Sequence, residues 1–161
     1  MTRILVLSDT HIPRVAIDLP DKIYKEIENV DMILHAGDFV EKEALDKLKT
    51  LKATKAVYGN MDSPNIRNEL NPKEIILVEK VRIGLIHGYG APRELIETVK
   101  GEFTNVDSIV FGHSHSAVNM VKDGILFLNP GSPTDTIFAS SNSYGILELN
   151  GNNIKGNIIN L

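Results

Sequence analysis

The sequence predicts an α/β fold in which two packed sheets carry helices on their outer faces. Up to about residue 60, short apolar runs alternate with segments of helical periodicity, which favours parallel strands joined by right-handed crossovers. After that point, paired apolar runs are separated by turn sequences, which predict hairpins. The total is about ten strands and three main helices, and two packed sheets accommodate them better than one ten-stranded sheet.

The first half of the chain predicts three strands and two helices in alternation. Residues 4–7 are continuously apolar, which is typical of a strand covered on both faces. Ile23, Ile27 and Val30 recur at helical spacing and predict a helix over 20–29. A strand at 32–34, a helix at 41–51 and a strand at 56–58 follow, and Ser63-Pro64 is read as a turn.

The second half predicts three hairpins and one further helix. Residues 74–78 and 81–86 form the first hairpin, a helix covers 92–103, and a strand covers 109–111. Strands at 118–121 and 125–128 flank Asp123-Gly124, a favoured two-residue hairpin turn. The last hairpin joins 144–149 to 154–159 around Asn150-Gly151.

Length and composition narrow the class of protein. The chain has 161 residues, enough for a single domain spanning 1–161. It has no cysteine, so disulfides and thiolate metal sites are excluded. The formal net charge is -4 without a dense basic cluster, so strong binding to nucleic-acid backbone is not expected. No apolar run approaches a membrane span and no signal peptide is visible, so a cytoplasmic protein is expected, with homo-oligomerisation left open.

Seven polar residues each lie just beyond the end of a predicted strand. They are Asp9, His11, Asp38, Asn60, His87, His113 and His115. Sites in open α/β sheets form at the carboxyl ends of strands, and these side chains are hard or borderline metal ligands. Each has an ordinary structural interpretation, such as a helix cap for Asp38, a turn residue for Asn60 and a buried hydrogen-bonded imidazole for His87. Taken together, the seven favour a metal site.

The ordered motifs Asp-x-His, Gly-Asp, Gly-Asn-x-Asp, His-Gly and Gly-His-x-His, from Asp9 to His115, resemble the calcineurin-like metallophosphoesterase family. The short chain, Gly-Asn-Met-Asp and the loop Asn129-Pro130-Gly131-Ser132 are similar to its compact archaeal and bacterial phosphodiesterases. The resemblance implies a four-layer α-β-β-α sandwich of two mixed sheets. It also implies a small phosphodiester substrate, with a nucleotide as one candidate.

The resemblance further implies two divalent metal ions, with manganese expected first and nickel, iron, zinc and magnesium as alternatives. One ion would be held by Asp9, His11, Asp38 and His115, and the other by Asp38, Asn60, His87 and His113, so that Asp38 bridges both. A water between the ions would lose its proton and attack phosphorus in line. Asp38, Asn60 and His113 would act in catalysis by positioning that hydroxide and the phosphate.

Three further residues bear on this assignment of roles. Met61 stands where the phosphatases of the family carry a histidine thought to protonate the leaving group, and a thioether cannot donate a proton. His35 is expected to be a core imidazole or to support a ligand, and Asp62 either to orient a ligand or to be a turn carboxylate.

Two other functions stay open: a protein-binding scaffold, as in the retromer subunit of this fold, and a phosphomonoesterase, which the missing histidine disfavours.

Overall fold

The computed structural model describes all 161 residues and contains ten strands and four α-helices. The strands are β1 (Thr2–Leu7), β2 (Met32–His35), β3 (Thr54–Ala56), β4 (Lys73–Val78), β5 (Val81–Ile86), β6 (Ser108–Val110), β7 (Val118–Lys122), β8 (Ile125–Asn129), β9 (Ser143–Asn150) and β10 (Asn153–Asn160). The helices are α1 (Asp21–Ile27), α2 (Lys42–Leu51), α3 (Pro64–Glu69) and α4 (Leu95–Gly101), the last preceded by a 3-10 turn at Pro92–Glu94.

The strands form two five-stranded mixed sheets, as the sequence predicts. The first sheet has the order β10-β9-β1-β2-β3, in which β1, β2 and β3 are parallel, β9 is antiparallel to β1, and β10 is antiparallel to β9. The second has the order β4-β5-β6-β8-β7, in which β5, β6 and β8 are parallel and both edge strands are antiparallel. Parallel strands at the centre of each sheet place several carboxyl ends side by side.

The two sheets pack face to face, and helices cover both outer faces. Fully buried side chains of the first sheet, such as Val6 and Leu34, share one core with Leu85 and Val110 of the second. A second core joins the outer face of the first sheet to α1, α2 and α3. A third core, which includes Phe127, joins the second sheet to α4. The four-layer α-β-β-α prediction is therefore confirmed.

Two elements differ from the predictions. The strand predicted at 56–58 lies at Thr54–Ala56, because its ladder with β2 ends where Ala56 pairs with His35, and Val57 instead forms an isolated bridge to Asn71. Helix α3 begins at Pro64, where only a turn is expected, since proline fits the first helical turn. No helix of the structure has both the length and the apolar character needed to cross a membrane.

Candidate metal centre

Loops at the carboxyl ends of the central strands bring the predicted residues to one edge of the sandwich. Beyond β1 and β2, the chain continues a parallel pairing in which the N–H of His11 donates to the carbonyl of Asp38 at 3.0 Å. Beyond β5 and β6, the N–H of Gly112 donates to the carbonyl of His87 at 3.0 Å. Because the two sheets are stacked, residues from both meet in one place.

Five of the seven predicted residues have left-handed backbone conformations, with φ between 45° and 72°: Asp9, His11, Asp38, His113 and His115. Such angles are uncommon outside glycine and concentrate at functional sites, with Asp and His among the more tolerant residues. Glycine is required at the neighbouring position 112, because there is no space for a side chain. A Cβ there would lie 1.9 Å from Ser8 Oγ and 2.7 Å from Asp9 Oδ2.

Two buried carboxylates face histidines from both sheets. Oδ1 of Asp9 lies 3.3 Å from Nε2 of His115 and 3.8 Å from Nε2 of both His11 and His87. Oδ2 of Asp38 lies 3.3 Å from Nε2 of His87 and 3.7 Å from Nε2 of His11. Two groups of ligand atoms are close enough to hold a cation: Asp9, His11 and His115; and Asp9, Asp38 and His87.

The donor atoms at this centre lack protein partners. Oδ1 of Asp9 and Nε2 of His11 and His87 are buried without a hydrogen bond. Buried polar atoms are normally paired, so an unpaired group that converges on one space needs an explanation. Nδ1 of His87 donates to the carbonyl of Ala36 at 2.8 Å, which turns Nε2 toward the centre. Oxygen and imidazole nitrogen donors of this kind fit divalent cations.

Electrostatics at the centre also favour bound positive charge. Burial would raise the pKa of Asp9, but the nearby imidazoles of His11 and His115 hold that pKa well below its usual range. Burial would lower the pKa of His87, but the nearby carboxylates of Asp38 and Asp9 raise it to about 9. The nearby carboxylate of Asp9 raises the pKa of His115 to about 9 as well. The carboxylates therefore remain charged and attract cations.

His35 is buried but has no nitrogen available for a metal. Its Nδ1 accepts the N–H of Gly37 at 3.1 Å, and its Nε2 lies 3.1 Å from Thr10 Oγ1. Its ring stacks on Phe39 at a centroid distance of 3.6 Å. Burial lowers the pKa of His35 to about 3, so the ring is neutral. The prediction of a core imidazole agrees with this arrangement.

Asp62 orients the loops that carry two of the predicted ligands. Its carboxylate accepts the N–H groups of Asp38 at 2.9 Å, Val40 at 2.8 Å and Gly59 at 2.8 Å. It is 5% exposed, and burial raises its pKa. Of the two interpretations left open by the sequence, the orienting role matches these contacts.

Asn60 and His113 lie at the mouth of the centre. Both line a cleft of about 450 Å³ together with His11, Asp38 and His115. The N–H of His113 donates to Oδ2 of Asp9 at 3.1 Å. Met61 lines the same cleft with 38% of its surface exposed, so a thioether occupies the expected position of a proton donor.

Asp135 belongs to the centre and is not predicted from the sequence. Its carboxylate, which is 3% exposed, accepts a hydrogen bond from Nδ1 of His115 and thereby turns Nε2 of that ring toward Asp9. The contact joins residues 20 positions apart in two irregular loops. No local pattern marks it, although the Asn129-Pro130-Gly131-Ser132 loop that leads to it has a recognisable composition.

A family model described as a calcineurin-like phosphoesterase superfamily domain matches residues 2–152. A protein of Methanocaldococcus jannaschii named as a probable metallophosphoesterase is 42% identical over 133 residues, covering 80% of this chain and 67% of the relative. A second one, from Methanothermobacter thermautotrophicus, is 33% identical over 156 residues, covering 96% and 90%.

Solved structures share the fold. A Thermotoga maritima protein, determined by solution NMR, superposes with a TM-score of 0.78 at 34% identity over 100% of both chains. Vacuolar protein sorting 29 of Cryptosporidium parvum superposes with a TM-score of 0.81 at 23% identity, covering 99% of this chain and 96% of that one. At that level of identity the second likeness bears on the fold alone.

Proposed function

The chain belongs to the calcineurin-like phosphoesterase superfamily, and from that premise we propose that it is a dinuclear metal-dependent phosphodiesterase. One observation carries the proposal. Oδ1 of Asp9 and Nε2 of His11 and His87 are buried, unpaired and directed into one space. Ions that complete the coordination of these atoms would explain this donor set.

We assign the ligands as two overlapping sets. Asp9, His11, Asp38 and His115 would hold one ion, and Asp38, Asn60, His87 and His113 the other. The position of Asp38 supports a bridging role, since one oxygen faces histidines of both sets. Asp9 also approaches His87, and both carboxylates therefore lie between the two groups. Metal ions closer than ~4 Å need such shared anionic ligands.

The ions, when bound, supply activation of water and stabilisation of charge on phosphate. The chain supplies the rest. Ala36 and Asp135 fix the rings of His87 and His115, and Asp62 holds the loops that carry Asp38 and Asn60. Asn60 provides an oxygen without negative charge. Two carboxylates against two dications leave a positive surplus that suits a phosphate ester.

Met61 restricts the substrates that react quickly. A poor leaving group needs a proton as its bond to phosphorus breaks, and a positioned acid contributes ~10²–10⁴-fold to the rate. Met61 offers none, while its backbone N–H donates to Oδ1 of Asp38 at 2.8 Å. The proposed enzyme therefore cleaves diesters with good leaving groups, and monoester hydrolysis is the weaker assignment.

The test uses metal-stripped protein refilled separately with Mn²⁺, Ni²⁺, Zn²⁺ or Mg²⁺. Elemental analysis should show saturation at about two ions per chain, and aryl phosphodiesters should be hydrolysed only after refilling. An Asp9→Asn and a His87→Ala variant should each lose metal and activity. Saturation at one ion contradicts the dinuclear assignment.

The second candidate function is a non-catalytic protein-binding scaffold. Its support is the likeness of fold to vacuolar protein sorting 29. Every ligand position predicted for chemistry is present in this chain, which favours catalysis. A protein that binds two ions but hydrolyses no phosphodiester or monoester would favour the scaffold instead.

A further inference from the structure

The loop from residue 130 to 142 carries two large apolar side chains into solvent beside the metal centre. Ile137 is 75% exposed and Phe138 is 79% exposed, and both line the cleft that contains His113 and His115. Exposed apolar side chains grouped at the mouth of a polar centre mark a contact surface. Their position against the proposed metal ligands points to a small ligand held at that centre.

The rest of the cleft lining is also partly apolar. It includes Val15, which is 37% exposed, and Met61, which is 38% exposed. The cleft volume of about 450 Å³ falls in the range of small-molecule sites. A phosphate held at the centre would leave room along these walls for the organic group attached to it.

Asp135 fixes the loop at a set position relative to the centre. While one oxygen accepts from His115, the carboxylate also accepts the N–H groups of Ile137 at 2.8 Å, Phe138 at 3.1 Å and Ala139 at 2.9 Å. Thr134 Oγ1 donates to the carbonyl of Thr10 at 2.7 Å, which ties the loop to the segment between Asp9 and His11. The apolar wall is therefore preorganised, which lowers the entropic cost of binding a ligand against it.

The side chains favour an aromatic group over an aliphatic one. The Phe138 ring lies edge-on to the ring of His115, with centroids 6.3 Å apart, so one aromatic surface already extends from the centre into the cleft. Aromatic rings prefer offset or edge-to-face partners, which adds to the area they bury. Arg14, an exposed cation, lines the same cleft and favours a π-face further.

We infer that Ile137 and Phe138, held against the centre by Asp135, form the subsite that receives an aromatic ester group of the phosphoester substrate. The subsite takes an aryl or nucleobase-bearing group whose phosphate lies among the metal ligands. This inference rests on the proposed function and adds the class of substrate to it. Ile137 and Phe138 are specificity residues that contact the organic group, and Asp135 is a positioning residue.

Phosphonates separate binding from leaving-group chemistry, because their carbon–phosphorus bond is not hydrolysed. The affinities of phenylphosphonate and methylphosphonate for the Mn²⁺-loaded protein are measured by calorimetry. Phenylphosphonate should bind about tenfold more tightly, which corresponds to burying roughly 55 Å² of ring at ~25 cal/mol per Å². The change of the ratio of the two dissociation constants between wild type and loop variants isolates the subsite from the metal centre.

Variants test whether the loop is the cause of this ratio of dissociation constants. Phe138→Ala should reduce it to within about threefold as the stacking area is lost, while inorganic phosphate binding and metal content remain unchanged. Phe138→Tyr keeps the ring and should retain the ratio. Leu77→Ala is the matched control, since Leu77 is 67% exposed on β4 and does not line the cleft.

The outcomes separate the two proposals. A wild-type ratio near one, or a ratio that Phe138→Ala leaves intact, overturns the subsite even when diesters are hydrolysed. Binding of neither phosphonate, together with no hydrolysis, overturns the proposed function and the subsite with it. Equal loss of both phosphonates and of inorganic phosphate in Phe138→Ala would show damage to the centre and also contradicts a selective subsite.

Discussion

Replacing Asp62 by asparagine should destabilise the metal-free protein more than replacing Asp38 does. The carboxylate of Asp62 accepts three backbone N–H groups, two at Oδ2 and one at Oδ1. An asparagine oxygen at the Oδ2 position keeps the bonds to Asp38 and Gly59, but its amide group then faces the N–H of Val40. One buried donor loses its partner, and the other two bonds lose their charge assistance.

The cost follows from these contacts. An unpaired buried donor costs ~1–3 kcal/mol, and the weaker neutral bonds add to it. The removal of a buried charge, whose unfavourable burial raises the pKa of Asp62, offsets part of this loss. We expect a net loss of about 2–3 kcal/mol, equivalent to roughly 5–10 °C in Tm for a chain of this length. In Asp38→Asn the amide oxygen still accepts from Met61, and the relief of repulsion from Asp9 offsets the lost contact with His87, so about 1 kcal/mol is expected.

The order of stability is measured by urea unfolding, followed by circular dichroism at pH 7. The proteins compared are EDTA-treated wild type, Asp62→Asn and Asp38→Asn. For metal binding and hydrolysis, the order of the two variants should reverse. With metal present, Asp38→Asn should lose more bound ion and more hydrolysis, because Asp38 is the proposed bridge and Asp62 is not among the proposed ligands. The reasoning fails if metal-free Asp62→Asn is within about 0.5 kcal/mol of wild type, or if Asp38→Asn is the less stable variant.

Three further changes probe separate parts of the structure. Met61→His should raise kcat/KM for alkyl or nucleotide diesters more than for aryl diesters, by up to ~10²-fold; an unchanged ratio at matched metal occupancy would contradict the leaving-group argument. Gly112→Ala should cost ~2 kcal/mol or more and lower metal affinity, as its Cβ would meet Ser8 and Asp9; Gly101→Ala, where a Cβ would meet nothing within 4 Å, is the comparison for unfolding and calorimetry. Tyr144→Phe should cost ~1 kcal/mol at neutral pH, because the hydroxyl donates to Glu26 at 2.9 Å. Burial and Glu26 raise the pKa of Tyr144 from 10.0 to about 12. The stabilisation by the hydroxyl is therefore complete below pH 10 and is lost as the pH rises toward 12. Measured from pH 8 to 12, the free energy of unfolding should show this loss in wild type and not in Tyr144→Phe.

The strand ends, and the polar residues that gather beyond them, could be predicted because both depend on local pattern. An apolar run that stops at Asp9, or at His87, marks the end of a buried strand, and parallel strands place such ends together. Helix α3 could not be predicted in this way, since it has six residues and buries only Ile66. A helix that short has no apolar stripe to read.

Other features depend on contacts between distant parts of the chain. The extent of β3 is set by β2, whose pairing ends at His35, and the more apolar Val57 and Tyr58 are left outside the ladder. The pairing of Asp135 with His115 requires two loops to meet above the sheet edge. Neither depends on the composition of the segment concerned, so periodicity and turn residues carry no information about them.

The candidate metal centre spans the interface between the two sheets, and this gives the interlayer core a second role. Asp9, His11, Asp38 and Asn60 follow strands of one sheet, whereas His87, His113 and His115 follow strands of the other. The alignment of the two layers therefore sets the spacing between donors. A substitution in the core between the sheets that shifts one sheet relative to the other should therefore weaken ion binding without altering a ligand. Metal affinity would then report on how well the two sheets are aligned.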